Sequence, residues 1–579
     1  MRSPLPAPAL APFKHNEQVS WVADITLLGL IVCGAVFVFY GLEQINQPLG
    51  TLVSSPISLD LAHLPQYTAR TTLRMFMALF ASLAFSLVVA TLAAKSHKAA
   101  LVILPALDIL QSVPVLGFLT FTVVFFMGLF PGKETGVECA AIFAIFTSQV
   151  WNMTFSLYQS LRTVPRDLYD VSRQFGFSPW QRFVRLELPF ATPGLVWNMM
   201  MSMSGGWFFV VASEAITVGN TTVSLPGIGS WLALAIEQQN IAAIAWAVLA
   251  MAGVIVLYDL LFFRPIIAWA DKFRFEQTAA QKRPRSRVYD LLRSTRLVPL
   301  ALNTLDGLRA LLPLDKLPRL GRIRFQVSAG LSRAIDRIWI ALVAAACVVG
   351  IAQLSTFIGS TLGLDDLIGV LSQGLVTLVR VAVLIVLASL LWVPIGVWIG
   401  LNPRWAERLQ PVAQLLAAFP ANVLFPFAVI AIVALKLNPD VWLSPLMILG
   451  TQWYILFNVI AGASALPNDL REAARSFQVR GWQWWRQVAL PGVFPYYVTG
   501  ALTAAGGSWN ASIVAEAVSW GDRHVYAYGL GSFIAQATTA GDLQRVALGV
   551  SVMALFVVGF NRLLWRPLYG FAERRLRID

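Results

Sequence analysis

The sequence predicts an all-α membrane protein of about twelve transmembrane helices, built as two homologous six-helix units with pseudo-two-fold symmetry about an axis along the membrane normal. Three observations lead there: a charge-poor apolar composition, apolar runs long enough to cross a bilayer, and an internal repeat covering most of the chain.

Of 579 residues, 57% are hydrophobic and 13% charged. A soluble chain carries about 25% charged residues. Runs such as 21–41, 73–94, 241–263 and 338–357 match the roughly 20 helical residues that cross a hydrocarbon core. They are continuous, whereas barrel strands would alternate over about ten residues. Residues 1–20 are polar and Pro-rich, and the first apolar run lacks a small-residue cleavage site. It therefore reads as a retained first membrane helix, not a signal peptide. The net charge of +13 lies between the apolar runs, where it sets topology and argues against a nucleic-acid partner. Cys33, Cys139 and Cys347 and the four histidines, His63 and His97 among them, are scattered. They show neither a disulfide framework nor metal-ligand spacing, and no metal or cofactor is expected in the chain.

The repeat is direct. The block starting at Val164 aligns with the block starting at Leu466 at an offset of 302, which pairs Pro165 with Pro467 and Asp167 with Asp469. Arg173 pairs with Arg475, Phe175 with Phe477, Trp180 with Trp482, Pro189 with Pro491, and Pro193 with Pro495. The register holds for Trp151 and Trp453, Trp207 and Trp509, Glu214 and Glu516, the Gly-x-Gly-Ser segments at Gly227 and Gly529, and Arg264-Pro265 with Arg566-Pro567. Upstream, Thr72-Leu73-Arg74 resembles the segment Thr377–Arg380, and Pro114 resembles Pro420 at an offset of 306.

The expected spans are 21–42, 71–94, 101–130, 138–160, 193–217 and 241–264, then 337–358, 376–400, 409–436, 441–464, 495–519 and 543–566. The third is interrupted by Pro105 and Pro114. Loops rich in Arg and Lys alternate with poor ones (43–69, 131–137, 218–240, 359–375, 520–542). By the positive-inside rule both termini and the linker are then cytoplasmic in a multi-pass protein of the bacterial inner membrane. The chain divides into a tail (1–20), a first unit (21–270), a basic linker (271–336) and a second unit (337–579). The linker either lies against anionic lipid headgroups or is a solvated connector.

Each unit carries an Arg-rich cytoplasmic segment. In the second, a short helix starts near Pro467 or Asp469, runs through Glu472-Ala473-Ala474-Arg475 to Phe477, and is followed by Gly481, Trp482 and Pro491. In the first, Pro165, Asp167, Asp170, Arg173, Phe175, Gly176 and Pro189 hold the same places. These segments resemble the EAA loop of ABC importer permeases, a Glu-Ala-Ala triplet followed by a glycine and then a Leu-Pro close. The triplet is literal in the second unit, where Gln478 replaces the pattern's glycine. The first unit keeps Gly176 but has Asp170-Val171-Ser172 for the triplet. With the Gln-Ser-Val-Pro turn at Gln111–Pro114 and Ser-Glu-Ala or Ala-Glu-Ala closing the fifth spans, the chain is most similar to permeases of the nitrate/sulfonate/bicarbonate (NitT/TauT-type) importers. The resemblance implies two type I ABC importer permease units fused in one chain. It implies a coupling helix in each that docks a cytoplasmic ATPase subunit, two such subunits carrying ATP and Mg, and alternating access for a small solute, with an anion favoured. An external solute-binding protein is the further partner it suggests. The rival reading is a twelve-helix secondary active transporter, which would need chains of intramembrane acids; the sequence offers isolated ones. The Gly128–Thr135 stretch imitates a P-loop but has a spacer too few and Glu134 after the lysine.

Arg74 and Arg380 fall early in second spans, and Glu214 and Glu516 late in fifth spans. All four should lie near the outer side, as pairs Arg74–Glu214 and Arg380–Glu516. The pairs either pin helices or lend a positive surface to an outer mouth for an anion. Gly205, Gly206, Gly506 and Gly507 beside Trp207 and Trp509 serve close helix packing or line a central seam narrowed by the tryptophans.

Overall fold

The computed structural model describes residues 24–29, 32, 39, 57–218, 221–273, 286–295, 329–464, 466–521 and 523–575. The first half contains α1 (Leu64–Lys95), α2 (His97–Ser112), α3 (Val115–Leu129), α4 (Glu134–Arg162), α5 (Arg166–Gln174), α6 (Pro179–Glu214), α7 (Ile228–Glu237) and α8 (Ile241–Phe273). A short linker helix, α9 (Arg287–Arg293), follows. The second half contains α10 (Ala329–Gly359), α11 (Leu364–Gly400), α12 (Pro403–Ala418), α13 (Phe425–Ala434), α14 (Pro439–Leu449), α15 (Gln452–Ser464), α16 (Asn468–Ser476), α17 (Gly481–Ala515), α18 (Leu530–Ala540) and α19 (Leu543–Ala572). Among the described residues, eight helices are long and apolar enough to span, and a ninth if α14 and α15, bent by 44°, count as one. The expected first span, 21–42, lies outside the described residues but for 24–29, 32 and 39.

Three features depart from the simple span list. The expected third spans are each two helices, broken at Pro114 and Pro420. Both prolines have extended ψ, 120° and 108°, because their missing N–H and fixed φ release the preceding turn. Pro105, in contrast, sits inside α2 without ending it. Second, the fifth spans begin at Pro179 and Gly481, well before the expected 193 and 495, so Pro189 and Pro491 lie inside continuous helices. A proline lacks an N–H and its ring crowds the carbonyl four residues back; an i→i+5 turn accommodates both defects. Among the described residues such turns occur four times, each closing one residue before a proline. Leu188 N–H donates to Phe183 O before Pro189, and Leu490 to Trp485 before Pro491. Arg264 donates to Asp259 before Pro265, and Arg566 to Asn561 before Pro567.

Third, the regions read as loops 218–240 and 520–542 are folded. Antiparallel hairpins β1–β2 (Ala215–Val218 with Thr221–Ser224) and β3–β4 (Ala517–Trp520 with Arg523–Tyr526) each lead into α7 or α18. These helices are too short to span, yet Trp231 of α7 is fully buried and donates its indole N–H to Ala243 O at 2.9 Å.

The two halves interlock. Val115, Leu116, Leu119 and Val123 of α3 belong to the apolar core of the second half, while Ala418 and Val423 belong to that of the first. Asn510 Oδ1 on α17 accepts the Val115 N–H at 2.7 Å, and Asn422 Nδ2 donates to Phe208 O at 3.2 Å. Each broken third span thus packs into the opposite half.

Close helix crossings rest on glycine. A Cβ on Gly500 would meet the Tyr454 carbonyl at 2.6 Å and Ile455 Cα at 3.1 Å, backbone that cannot yield, whereas Gly559 faces open space. Gly500→Val should cost about 1–3 kcal/mol and lower the thermal midpoint in detergent. Gly559→Val should change it far less.

Candidate functional site

At one end of each half an arginine gathers two acids, Arg74 fully buried and Arg380 largely so. In the first half, α1 presents Thr71 and Arg74 one helical turn apart. Arg74 forks onto Glu138 of α4 through Nε and Nη2, both at 2.6 Å, and its Nη1 donates to Glu214 Oε1 at 2.7 Å and Pro226 O at 3.0 Å. Glu214 also accepts the Thr71 hydroxyl at 2.7 Å and the Gly229 N–H at 2.6 Å, while Thr71 Oγ1 accepts the Ile228 N–H at 2.9 Å. Arg74 and Glu138 side chains are 2% exposed and Glu214 is fully buried. The network thus holds the N-terminus of α7 against the ends of α1 and α6. The repeated Gly-x-Gly segment is explained by proximity: a Cβ on Gly227 would fall on the Glu214 carboxylate, and one on Gly229 against Val211 O.

The second half repeats the arrangement less tightly. Arg380 Nη1 donates to Glu516 Oε1 at 3.0 Å, and Glu516 accepts the Thr377 hydroxyl at 3.0 Å and the Gly531 N–H at 2.8 Å. The third member is Asp440, at 3.2 Å from Arg380 Nη2 and 51% exposed. Glu138 and Asp440 are repeat mates at the 302 offset; two apparently unremarkable acids, neither was identified from the sequence. The threonine register is also corrected: Thr71, not Thr72, matches Thr377, and Thr72 merely bonds Thr68 O at 2.8 Å. The expected pairs Arg74–Glu214 and Arg380–Glu516 are both present. Arg74, enclosed by its partners, offers no surface to a passing solute.

The Arg-rich segments lie at the opposite end: α1 meets Glu214 through Arg74 at one end and Glu187 through Lys95, at 2.9 Å, at the other. Pro165 and Pro467 cap α5 and α16. Asp167 and Asp469 lie in the first turns, favourable for the helix dipole. Ser172 and Ala474 face inward, whereas Asp170, Arg173, Glu472, Ala473 and Arg475 are exposed. Phe175 and Phe477 project at 66% and 82% exposure, with Trp180 and Trp482 also exposed. Gly176 and Gln478 both close their helices in the left-handed region, at φ +70° and +54°. Tyr169 donates to Glu187 at 3.0 Å, and burial and that carboxylate push its phenol up to about 12, so it remains a donor at neutral pH. The repeat places Arg471 and Ala489 at the Tyr169 and Glu187 positions. That elbow instead packs Trp484 edge-on to Trp485. Pro189 and Pro491 sit just inside the long helices, past their wide turns.

Trp207 stacks on Tyr258 at 5.7 Å and Trp509 on Phe556 at 6.3 Å. Both indoles thus face the last helix of their own half and do not line the central cavity. That cavity, of about 70 Å³, lies between α6 and α17 and is lined by Ser204, Gly205, Phe208 and Phe209 from one side and by Thr451, Tyr454, Gly507 and Ala511 among others from the second half. Among the described residues no His, Cys, Asp or Glu cluster could hold a metal.

Residues 82–265 and 392–577 each match the family model described as binding-protein-dependent transport system inner membrane component. The chain is 28% identical over 211 residues to the nitrate import permease protein NrtB of Leptolyngbya laminosa, covering 36% of this chain and 70% of that protein. It is 31% identical over 188 residues to the bicarbonate transport system permease protein CmpB of Synechococcus elongatus, covering 32% of this chain and 64% of that one. A shorter match, 33% over 137 residues, is to the glycine betaine/proline betaine transport system permease protein ProW of Escherichia coli, covering 24% of this chain and 36% of that protein.

Three substitutions test this geometry. Arg74→Met strands two buried carboxylates and should cost about 3–5 kcal/mol in thermal unfolding. Arg380→Met should cost less, because water reaches Asp440. Gln478→Gly removes a left-handed non-glycine residue and should stabilise the protein by about 1 kcal/mol, read as a raised unfolding midpoint.

Proposed function

The chain belongs to the binding-protein-dependent transport system inner membrane component family, and on that premise we propose that its two halves form one complete solute pathway, driven by ATP hydrolysis on separate subunits. The observation that carries this reading is the pair of elbows, α5 and α16. Both are short, follow a proline, expose a phenylalanine at the C-terminal end, and lead through a tight left-handed turn into the long helices that flank the seam. An exposed aromatic at the tip of a membrane protein's polar end is suited to a cleft in a soluble partner. Closure of an ATPase dimer would displace the elbows, and α6 and α17 would carry that displacement as rigid levers to the seam. ATP binding would thereby favour one pathway state over the other.

In this reading the elbows and both termini are cytoplasmic, and one ATPase subunit sits on each elbow. The charge networks, hairpins, α7 and α18 are on the outer side, where a solute-binding protein would deliver the solute. The nitrate and bicarbonate permeases among the relatives support a small anion as the solute. A gradient-driven transporter is disfavoured, because the membrane acids at the outer end are locked to arginines and form no relay.

Phe175→Ser with Phe477→Ser changes exposed positions and should leave the fold intact. We expect co-purification of the ATPase to fall sharply and ATP-driven uptake in proteoliposomes to drop at least about tenfold, the scale of losing a buried aromatic anchor. Undiminished capture and uptake would contradict the elbow assignment.

A further inference from the structure

The central cavity lies across the pseudo-two-fold axis, lined by both Gly205 and its repeat mate Gly507, but its two walls are unlike. Its first-half wall is made by Phe208 and Phe209, whose repeat mates at the 302 offset are Asn510 and Ala511. Its second-half side offers Thr451 and Tyr454, whose mates are Gln149 and Asn152. Two of these mates are turned to other partners. Asn510 is occupied with the Val115 N–H at 2.7 Å, and Gln149 is fully buried with its Nε2 against Met203 Sδ at 3.8 Å. Two identical subunits would set the same residues on both sides of a seam; two halves of one chain are free to differ.

We propose that this cavity with unlike walls is the solute's seat in the pathway, that it takes a small polyatomic anion through the neutral Tyr454 hydroxyl, and that Phe208 and Phe209 set its size limit. The proposal rests on the importer reading and adds the place and chemistry of recognition. The lining carries no charged side chain. Its other hydroxyls are engaged: Thr451 with Ser508 at 3.0 Å, and Ser204 with Met200 O at 3.2 Å. Among the described residues the Tyr454 hydroxyl donates to nothing. It is seated over Gly205, where a Cβ would approach it to 2.8 Å. A free donor with no carboxylate or imidazole beside it selects a solute that brings acceptors, and disfavours a cation. A neutral donor also holds an anion loosely enough to release it, as a conduction site must, which a buried arginine would not. A water needs about 10–15 Å³ on the same measure, so a cavity of about 70 Å³ admits roughly five water-sized groups, enough for a trigonal oxyanion and too few for a long organic chain.

The test uses the full chain in nanodiscs with Cys33, Cys139 and Cys347 changed to Ser and Thr451→Cys introduced. The sulfonatoethyl methanethiosulfonate reagent, an anion, should label Cys at that position several-fold faster than the trimethylammonioethyl reagent, a cation. Nitrate should slow the labelling. Tyr454→Phe should abolish the nitrate effect, and Phe208→Ala with Phe209→Ala should accelerate the bulkier reagent. Equal rates for the two reagents, no labelling by either, or no nitrate effect would overturn the seat. The importer reading is judged separately, by ATP-driven nitrate uptake of the wild-type chain with its ATPase and binding protein: uptake with no nitrate protection sinks the seat alone, and protection without ATP dependence sinks the importer.

Discussion

The fold depends on one interaction made twice: a membrane-buried arginine held between carboxylates. Ionised groups are expensive in a lipid setting unless paired and hydrogen-bonded. Here Arg74 is enclosed, and Arg380 flanked, by acids from other helices, and the remaining lone pairs of Glu214 and Glu516 are filled by backbone N–H groups of Gly229 and Gly531. The charge therefore organises more than a pair. It fixes the second span, the end of the fifth and the short helix after it, at the end of the molecule farthest from the elbows. Long helices pinned at one end and attached to an exposed elbow at the other are a lever geometry.

The duplication shows which parts of that geometry are constrained. The arginine, the glutamate, the threonine one turn before the arginine and the two glycines recur. So do the four wide turns before prolines and the left-handed residue that closes each elbow. What differs is equally ordered. The first half has a bidentate, enclosed Glu138 where the second has a shorter, half-exposed Asp440. It braces its elbow with Lys95, Glu187 and Tyr169, where the second uses Trp484 and Trp485. Its phenylalanines face the small residues of the other half across the seam. Fusion lets each half specialise without the other.

Much of this was legible in the residues. The apolar runs and the long match at an offset of 302 gave the two-unit all-α plan, and the register of Arg74, Glu214, Arg380 and Glu516 was enough to pair them. The elbows followed from Pro, Asp and the Glu-Ala-Ala triplet. The misses have physical causes. Glu138 and Asp440 begin the fourth spans, where an acid reads as a dipole-friendly helix start, and only the fold brings them to an arginine 64 or 60 residues away. The hairpins and α7 carry no strong periodicity of their own and are held by tertiary bonds to Glu214 and Glu516. The fifth helices begin well before the expected 193 and 495, because wide turns ahead of Pro189 and Pro491 absorb the proline defect. The unlike walls of the cavity appear only when repeat mates are compared in space.

The central claim is that one chain supplies both halves of one pathway, and the stoichiometry of the intact complex tests it most directly. Native mass spectrometry of the chain purified with its ATPase should give one copy of this chain to two ATPase subunits. A complex containing two copies of this chain around two ATPase subunits would contradict the account, since each chain would then be acting as a single half.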